Sequence, residues 1–478
     1  MKARLVLLTT LCLLMAASAT LAETVAGLPL HIKTLADGVI RVWIGDHISS
    51  TATTALATEK GVVVIDTTGL PGVDRQLRDI IARELGRDDF VMLINTHEHR
   101  DHTGGNAVYA DCEIVGHELV AEGMRGNSDN SERVAGWLTT RLAEQEAELE
   151  SLAPNAPEKA RLREDLMLNR MELEAAQAGL ESVPPTKTFS DRMVLDQGDT
   201  TFELYYVGGM HSASDIAVLV PEHGLLMTGD TMSDKWLTDT PGCLAAFAVR
   251  PGIHHDFPLL IENWHRLLAR KDDIRTLHTG HWNGELSFAG FEARVGYIET
   301  LWEAVNRMAG EDGTLEGFLA AYRLEESFPD LAESPGFSQR NHFMTMSELW
   351  RVASGQASAA EALYALIDEG AAEAEIQAVV AGREAARSGH YFMEAEFNAR
   401  GYNFLRQDKV AQATTLFEIT VDLYPDSWNA YDSLGEALMT AGDREAAIAM
   451  YEKSMELNPD NTNGRDMLVR LREEASVN

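Results

Sequence analysis

Cysteine is scarce in this chain, which contains three cysteines in 478 residues. Cys12 lies in the apolar segment at the start of the chain, so Cys112 and Cys243 remain for a processed protein. Two cysteines cannot form a disulfide framework, and neither has the spacing of a cysteine-based metal site. An oxidising compartment would permit one bridge between them. Packing must therefore hold the fold together.

Basic residues are also few, because 40 lysines and arginines stand against 75 aspartates and glutamates, a net charge of −35. A surface of this sign repels phosphate backbones and anionic lipids. No local cluster of basic residues offsets it. We therefore expect a small-molecule substrate rather than nucleic acid, and no membrane association once a signal segment has been removed.

Long hydrophobic runs are confined to the start of the chain, since no later segment has about 18 consecutive apolar residues. The start has the charged beginning (Lys2 and Arg4), the apolar centre (residues 5–17) and the small-residue end of a secretory signal peptide. An uncleaved anchor is the alternative. The pattern predicts a periplasmic or secreted protein with a signal peptide over residues 1–22.

A chain of this length is too long for one hydrophobic core and predicts more than one domain. From about residue 28 to residue 90, short strand patterns alternate with turns. Residues 61–65 and 90–94 are apolar runs typical of buried strands, and residues 73–85 between them have apolar side chains at helical spacing. Strand, helix and strand in this order indicate an α/β fold.

Residues 131–182 break this rhythm, because they are charged, leucine-rich and nearly free of glycine. Leucines at helical spacing form one stripe before Pro154 and a second stripe after Pro157. The segment therefore predicts a helical hairpin inserted into the first domain. The hairpin could serve as a packing or dimerising arm, or as a lid over a site.

The C-terminal part of the chain is expected to be all-α. Residues 291–354 look helical throughout, and residues 311–390 form a helical extension or linker. Residues 391–478 contain a 34-residue repeat, the spacing of tetratricopeptide repeats. Such a unit could bind a protein partner, mediate self-association or stabilise the chain. The repeat relates Phe397, Gly401, Ala413, Phe417, Leu423 and Pro425 to Tyr431, Gly435, Ala447, Tyr451, Leu457 and Pro459.

The richest chemistry lies in residues 97–102, where three histidines and two acidic residues follow an apolar strand. Imidazole and carboxylate are common ligands of divalent transition metals. In extended backbone His97 and His99 point to the same side, so they can hold one ion together. Asp101 and His102 lie past the bend and suit a second ion. Three further candidates follow apolar strands downstream, namely His211, Asp230 and His281.

The order of these residues resembles that of the metallo-β-lactamase superfamily. The resemblance covers about residues 28–310 and rests on Asp66, His97-x-His99-x-Asp101-His102, His211, Asp230 and Gly280-His281. It implies a four-layer αββα sandwich over residues 23–310, with the helical hairpin as an insertion. It also implies that His97, His99 and His211 hold a first metal, that Asp101, His102 and His281 hold a second, and that Asp230 bridges them. Asp66 would then fix a ligand imidazole by a hydrogen bond.

Two divalent ions held close together share a water and lower its pKa from 15.7 to about 7. We therefore expect a hydrolase in which a metal-bridging hydroxide, oriented by Asp101, attacks an ester, thioester, lactone or amide carbonyl. The ligands favour zinc, although iron and manganese also suit imidazole and carboxylate. A serine nucleophile in a Gly-x-Ser-x-Gly elbow is absent from the sequence.

Position 230 bears on alternative functions. By the resemblance, aspartate there is typical of glyoxalase-, lactonase- and phosphodiesterase-like members, whereas β-lactam-hydrolysing members have cysteine or serine. A β-lactamase remains one alternative, a mononuclear iron persulfide dioxygenase a second, and a non-catalytic protein that binds through its C-terminal repeats a third. His278 is an alternative ligand, and Trp236 and Trp282 are candidate walls of a substrate pocket.

Overall fold

The computed structural model describes residues 23–46, 50–129, 131–156, 158–179, 182–232, 249–250, 253–311, 313–334, 337–384 and 389–476. The expected signal peptide, Trp236 and Cys243 lie outside these residues. Cys112 is buried and has a free thiol, and burial raises its pKa to about 11. None of the helices in the described ranges combines the length and apolar character that a membrane span requires.

The first sheet has eight strands that pair in the order of the sequence. Strands β1 to β5 pair antiparallel, and strands β5 to β8 pair parallel. The bounds are β1 Thr24–Val25, β2 Leu28–Ala36, β3 Val39–Ile44, β4 Thr53–Thr58, β5 Gly61–Ile65, β6 Phe90–Ile94, β7 Glu113–His117 and β8 Lys187–Phe189. The apolar run in β5 is buried along its whole length, as expected of a strand covered on both faces.

The second sheet has six strands in the order β14-β13-β12-β11-β10-β9. Its bounds are β9 Arg192–Asp196, β10 Thr201–Tyr206, β11 Ile216–Val220, β12 Leu225–Met227, β13 Thr276–His278 and β14 Glu285–Leu286. Strands β12 and β13 pair parallel, and the remaining neighbours pair antiparallel. A separate parallel pair joins β15 (Ala357–Ser358) to β16 (His390–Tyr391).

Some of the α-helices lie between strands of the two sheets along the chain, and the others come after both sheets. They are α1 Pro71–Leu85, α2 Arg100–Thr103, α3 Val120–Asp129, α4 Ser131–Ser151, α5 Glu158–Ala178, α6 Phe257–Leu268, α7 Phe288–Gly310, α8 Leu315–Ala321, α9 Leu324–Ser327, α10 Pro329–Ala332, α11 Gln339–Ser354, α12 Ala359–Glu369, α13 Glu373–Val380, α14 Glu394–Arg406, α15 Val410–Leu423, α16 Trp428–Ala441, α17 Arg444–Leu457 and α18 Thr462–Ser476. Helix α1 begins with Pro71, which suits a first turn, and ends at Gly86 in the left-handed region.

The two sheets share one apolar core, to which the first contributes Val63 and Ile94 and the second Leu204 and Val218. The alternate side chains of the same strands point away from this shared core, because successive side chains of a strand point to opposite faces of the sheet. The outward residues of the first sheet pack with α1, and those of the second sheet pack with α6 and α7. The sheets therefore hold the loops at their strand ends in fixed relation.

The residues expected to form an inserted hairpin contain helices α4 and α5, which pack against each other. Leu138 and Leu142 are buried in α4, and Leu162 and Leu166 are buried in α5. Met167 and other apolar residues of α5 also pack against the outer core of the first sheet. The two helices are thus attached to the α/β domain along its first sheet.

The helical C-terminal region packs around more than one core, and α17 and α18 share a small cluster of their own. Helices α7 to α11 share a core with the second sheet, whereas α12 and α13 share one with α14 to α16. Residues 291–354, which were expected to be helical throughout, contain five helices separated by short breaks in the described part of the chain. The 34-residue repeat corresponds to a repeated contact, because Gly401 lies against the Phe417 ring as Gly435 lies against the Tyr451 ring.

Candidate metal centre

Four strand ends bring the predicted ligands to one edge of the two sheets. Strand β6 leads to the 97–102 segment, β10 to the turn before His211, β12 to Asp230, and β13 to His281. Gly208 and Gly209 both have positive φ, and a Cβ at either would lie within 2.5 Å of a backbone oxygen. The glycines therefore allow the tight turn that places His211.

The first group of candidate ligands consists of His97, His99 and His211. The Nδ1 atom of His99 lies 3.0 Å from His97 Nε2 and 3.0 Å from His211 Nε2. Ligand atoms of a tetrahedral zinc site with Zn–N distances of 2.0–2.1 Å lie about 3.3 Å apart. The three nitrogens therefore have nearly the spacing that one zinc ion requires.

The second group consists of Asp101, His102, Asp230 and His281. The Nε2 atoms of His102 and His281 lie 3.2 Å apart. Asp101 Oδ2 lies 3.3 Å from His281 Nε2 and 3.5 Å from His102 Nε2. The side chain of Asp101 is 45% exposed, whereas His102 is fully buried, so Asp101 lines the open side of the group.

Asp230 connects the two groups. Its Oδ2 lies 3.0 Å from His281 Nε2 and 3.4 Å from His211 Nε2. Its Oδ1 is buried without a hydrogen-bond partner among the described residues. A Cβ on Gly280 would lie 2.2 Å from Asp230 Oδ1, so glycine is needed for this approach. An unsatisfied carboxylate oxygen between two sets of imidazoles fits a bridging metal ligand.

Asp66 orients one imidazole of each group. Its Oδ2 accepts hydrogen bonds from His102 Nδ1 (3.0 Å) and from Thr96 Oγ1 (2.7 Å). Because Thr96 donates its hydroxyl proton to Asp66, its oxygen can accept from His97 Nδ1 at 3.0 Å. Both imidazoles are thereby held with Nε2 free for a metal. Asp66 thus accepts the expected hydrogen bond from a candidate ligand imidazole, that of His102, and has a second, indirect contact with His97 through Thr96.

Glu98 joins the loop of His97 and His99 to the loop of His211, and Asp215 closes the turn within the second loop. Glu98 accepts hydrogen bonds from Ala213 N at 3.2 Å and from Ser214 Oγ. Asp215 Oδ2 accepts from the main-chain N–H of His211 at 2.6 Å. A carboxylate that closes a turn in this way restricts the position of the imidazole it carries.

The two groups differ in charge. Burial, followed by the neighbouring imidazoles for His97 and by Arg250 for His211, holds both pKa values well below their usual value. In the second group, burial opposes charge, but Asp230 and Asp101 outweigh it and raise the pKa of His281 to about 9. The metal-free first group is therefore neutral at pH 7, and the second holds imidazolium and carboxylate together.

Sequence reasoning missed two arginines at this centre. Arg250 Nη1 lies 3.2 Å from His99 Nε2, 151 positions away in sequence, and burial lowers the pKa of Arg250. No local pattern marked Arg250. Arg41 contacts the loop that carries His281, and its signal was a single charge within an apolar strand.

The remaining candidates lie near the centre or outside the described residues. Both ring nitrogens of His278 are buried, and His278 is in neither ligand group of the described chain. Trp282 directly follows His281 and has a positive φ of 46°. Trp236 lies outside the described residues.

Residues 49–281 match the sequence model of the Metallo-beta-lactamase superfamily. This range contains all seven side chains of the two ligand groups. The match supports metal binding by the histidines and aspartates that the fold brings together.

Individual relatives align with part of the chain. The α subunit of 2,4-dinitroanisole O-demethylase from Nocardioides sp. (strain JS1661) is 25% identical over 205 residues, 42% of this chain and 44% of that subunit. The acyl-coenzyme A thioesterase MBLAC2 from Bos taurus is 26% identical over 218 residues, 43% of this chain and 68% of the thioesterase. The chain thus spans less than half of the demethylase subunit. A solved metallo-beta-lactamase from Pontibacter korlensis covers 56% of this chain and 99% of its own, with 15% identity and a TM-score of 0.38.

Proposed function

We propose, from the premise that residues 49–281 form a metallo-beta-lactamase superfamily domain, that the protein hydrolyses an ester, thioester, lactone or amide. The observation that carries this proposal is the pair of ligand groups joined by Asp230. Two divalent ions bound there would supply a nucleophilic water at neutral pH and polarise the substrate carbonyl. Zinc is the proposed metal, because the ligand spacing and ligand types suit it.

The proposed ligand roles follow the two groups. His97, His99 and His211 would hold one ion, and Asp101, His102 and His281 would hold the other. Asp230 would contribute to both, since its Oδ2 lies within 3.4 Å of a nitrogen from each group. The roles of these residues are supported by the distances between their ligand atoms and by the buried, unpaired Oδ1 of Asp230.

Asp101 is the proposed residue that orients the attacking water. Its side chain is 45% exposed, whereas the side chains of His102, His281 and Asp230 in the same group are buried. Burial alone would raise its pKa, but His102 and His281 hold the pKa well below its usual range. Asp101 is therefore a carboxylate at neutral pH and can accept a hydrogen bond from water.

The substrate class is a proposal supported by the relatives. One aligned relative is an acyl-coenzyme A thioesterase, and another is a subunit of an enzyme that demethylates 2,4-dinitroanisole. The first substrates to test are therefore acyl thioesters, followed by 2,4-dinitroanisole, lactones, simple esters and β-lactams. Hydrolysis of one class by the zinc-loaded protein, lost on chelation and restored by zinc, would support the proposal.

Substitution of single residues tests the assignment of the site. His97→Ala and Asp101→Ala should each remove most activity while the circular dichroism spectrum stays nearly native. The matched control is His265→Ala on α6, because the His265 side chain is 49% exposed and bonds Glu299 away from the site. Normal turnover in His97→Ala or Asp101→Ala would show that the centre is not the catalytic site.

We also propose that the protein is exported and that its C-terminal helices bind a partner or a second copy. Export is supported by the signal-like residues 1–22, and N-terminal sequencing of protein from cell fractions tests it. The tetratricopeptide interpretation is supported by the repeated glycine–aromatic contact in residues 391–478. Analytical ultracentrifugation of the full chain measures its oligomeric state. An oligomer would support self-association, and a monomer would favour binding of a different partner.

A further inference from the structure

Strand β3 buries an arginine at the centre of an apolar stretch. Arg41 is 0% exposed, and the strand residues on either side of it are also buried. Removing a guanidinium from water is costly unless hydrogen bonds satisfy it. The hydrogen-bond partners of Arg41 therefore indicate which part of the structure the buried guanidinium stabilises.

Arg41 hydrogen-bonds the loop that carries His281. Its Nε donates to Trp282 O at 3.0 Å, and its Nη2 donates to Thr279 O at 2.5 Å and His281 O at 3.4 Å. Its Nη1 donates to Thr54 Oγ1 at 3.2 Å, on the neighbouring strand β4. Three of these four bonds end on main-chain carbonyls of one loop, and none ends on a carboxylate.

The loop has little freedom once these bonds are made. Its carbonyl groups lie between the end of β13 and the start of β14, outside the regular pairing of those two strands. His281 O also accepts a hydrogen bond from Gly284 N at 3.1 Å, so the loop is held by main-chain bonds as well as by Arg41. Trp282 has a left-handed φ of 46°, a conformation that a bulky residue keeps only when its surroundings hold it. Trp282 N also donates to Ser50 O at 2.6 Å, and Ala52 N donates to Gly280 O at 3.0 Å.

The position of this loop sets the second group. Gly280 lies so close to Asp230 that an added Cβ would be 2.2 Å from Asp230 Oδ1 and 2.8 Å from His102 Cε1. A shift of the loop would therefore move His281 relative to both residues. The first group contacts this loop only through the shared Asp230, because none of its three histidines lies in the loop or receives a hydrogen bond from Arg41.

We propose that Arg41 is a positioning residue that fixes His281 through the main chain and thereby sets the affinity of the second group, but not the first, for its metal. This inference rests on the proposed two-metal function. The proposed positioning role of Arg41 differs from a direct electrostatic effect of its guanidinium, because a fixed positive charge alone would repel the metal cation. Removal of the charge would then strengthen metal binding, whereas loss of positioning would weaken it.

The experiment titrates metal-free, full-length protein with Zn²⁺ in competition with a chromophoric chelator and extracts two stepwise dissociation constants. For Arg41→Lys and Arg41→Met, we expect the weaker constant assigned to the second group to rise by about 10–100-fold, as for other residues that orient metal ligands. The constant of the first group should change by no more than about twofold. Thr54→Val, which keeps the arginine and removes one of its anchors, should shift the same constant by a smaller factor.

The matched control is Arg294→Lys. Arg294 is also a buried arginine, with 1% exposure, and it donates to Gly290 O at 3.0 Å within α7. Arg294→Lys should leave both constants unchanged, and a second-group loss equal to that of Arg41→Lys would assign the effect to general destabilisation and overturn the inference.

Two further outcomes separate this inference from the proposed function. Wild-type protein that binds two Zn²⁺, with unchanged or tighter second-step binding in Arg41→Met, would overturn the inference alone. If Arg41→Met does not fold, an unchanged second constant in both Arg41→Lys and Thr54→Val would overturn it. Wild-type protein that binds fewer than two Zn²⁺ would contradict both proposals.

Discussion

The two ligand groups lie side by side but differ in the protonation state of their imidazoles before a metal ion binds. The first is made of imidazoles alone, and burial together with neighbouring positive groups keeps His97 and His211 neutral. In the second, burial alone would favour neutral side chains, but the carboxylates raise the pKa of His102 and His281. At the same edge of the two sheets, the first group therefore has neutral imidazoles that can accept a metal ion directly. In the second group, the protonated imidazoles form ion pairs with carboxylates.

This difference matters because a metal can bind only to a deprotonated imidazole. Binding to the first group at pH 7 displaces no proton, whereas binding to the second displaces protons from His102 and His281. The second group compensates with two carboxylates, which attract a cation more strongly than imidazole does. The comparison therefore predicts two binding steps with different dependence on pH.

Loss of the shared residue should have the largest effect. Asp230→Ala removes the carboxylate that lies within 3.4 Å of a nitrogen from each group, so both metal steps should weaken. We expect kcat/KM for the best substrate to fall by at least the order of 10²–10³. Asp196→Ala is the control, because that side chain is 77% exposed and pairs with the start of β10, whereas His211 follows the end of β10. If Asp230→Ala keeps wild-type kinetics, Asp230 does not join the two groups.

The next largest difference should be in how the zinc affinity of each group depends on pH. The pKa of His281 is about 9 and that of His102 is raised, so both are protonated in the metal-free protein at neutral pH. As pH rises, fewer protons compete, and the second-step affinity should increase by about 100-fold per pH unit if two protons are released. The first step should change much less. Calorimetry in two buffers of different ionisation enthalpy measures both proton counts, and equal counts would remove the distinction.

Removal of the hydrogen bonds that orient the candidate ligand imidazoles should have a smaller effect on metal affinity, and the affected binding step should depend on the residue replaced. Asp66→Asn disturbs His102 directly and His97 through Thr96, so both steps should weaken by about 10–100-fold. Thr96→Val removes the acceptor of His97 alone and should weaken mainly the first step. Stepwise zinc titration of the two variants measures this contrast. A first step that stays at its wild-type affinity in Asp66→Asn would show that Asp66 does not act on His97 through Thr96.

A substitution in the C-terminal repeats should have the smallest effect on either group. A Cβ on Gly401 would lie 2.3 Å from the Phe417 ring, whereas one on Gly435 would lie 3.1 Å from the Tyr451 ring. Gly401→Ala should therefore destabilise the helices by about 1–3 kcal/mol and Gly435→Ala by less. Both metal constants should stay at the wild-type values. A change in either constant would show that the repeats influence the centre.

Local sequence patterns led to the candidate ligands that the fold brings together, because each candidate segment follows an apolar strand. The run in β6 leads directly to His97, and the glycines before His211 mark the turn that places it. Such signals extend over a few residues, so they are readable without knowledge of the fold. The match of residues 49–281 to a superfamily model supports the α/β domain that they indicated.

Contacts between distant segments could not be predicted in the same way. Arg41 bonds Trp282 across 241 positions, and Arg250 approaches His99 across 151. Neither arginine has a motif around it, and both partners are known only once the sheets have been assembled. The helix breaks after residue 310 were different, because Thr314 and Ser338 are N-caps that the sequence displays.

The most direct test is the metal content of purified, full-length protein before and after chelation. The two-group account predicts two divalent ions per chain, loss of turnover on chelation and recovery when zinc is returned. His97→Ala and His281→Ala should each lower the count, through different groups. Protein that holds no stoichiometric metal and turns over substrate identically after chelation would contradict the account.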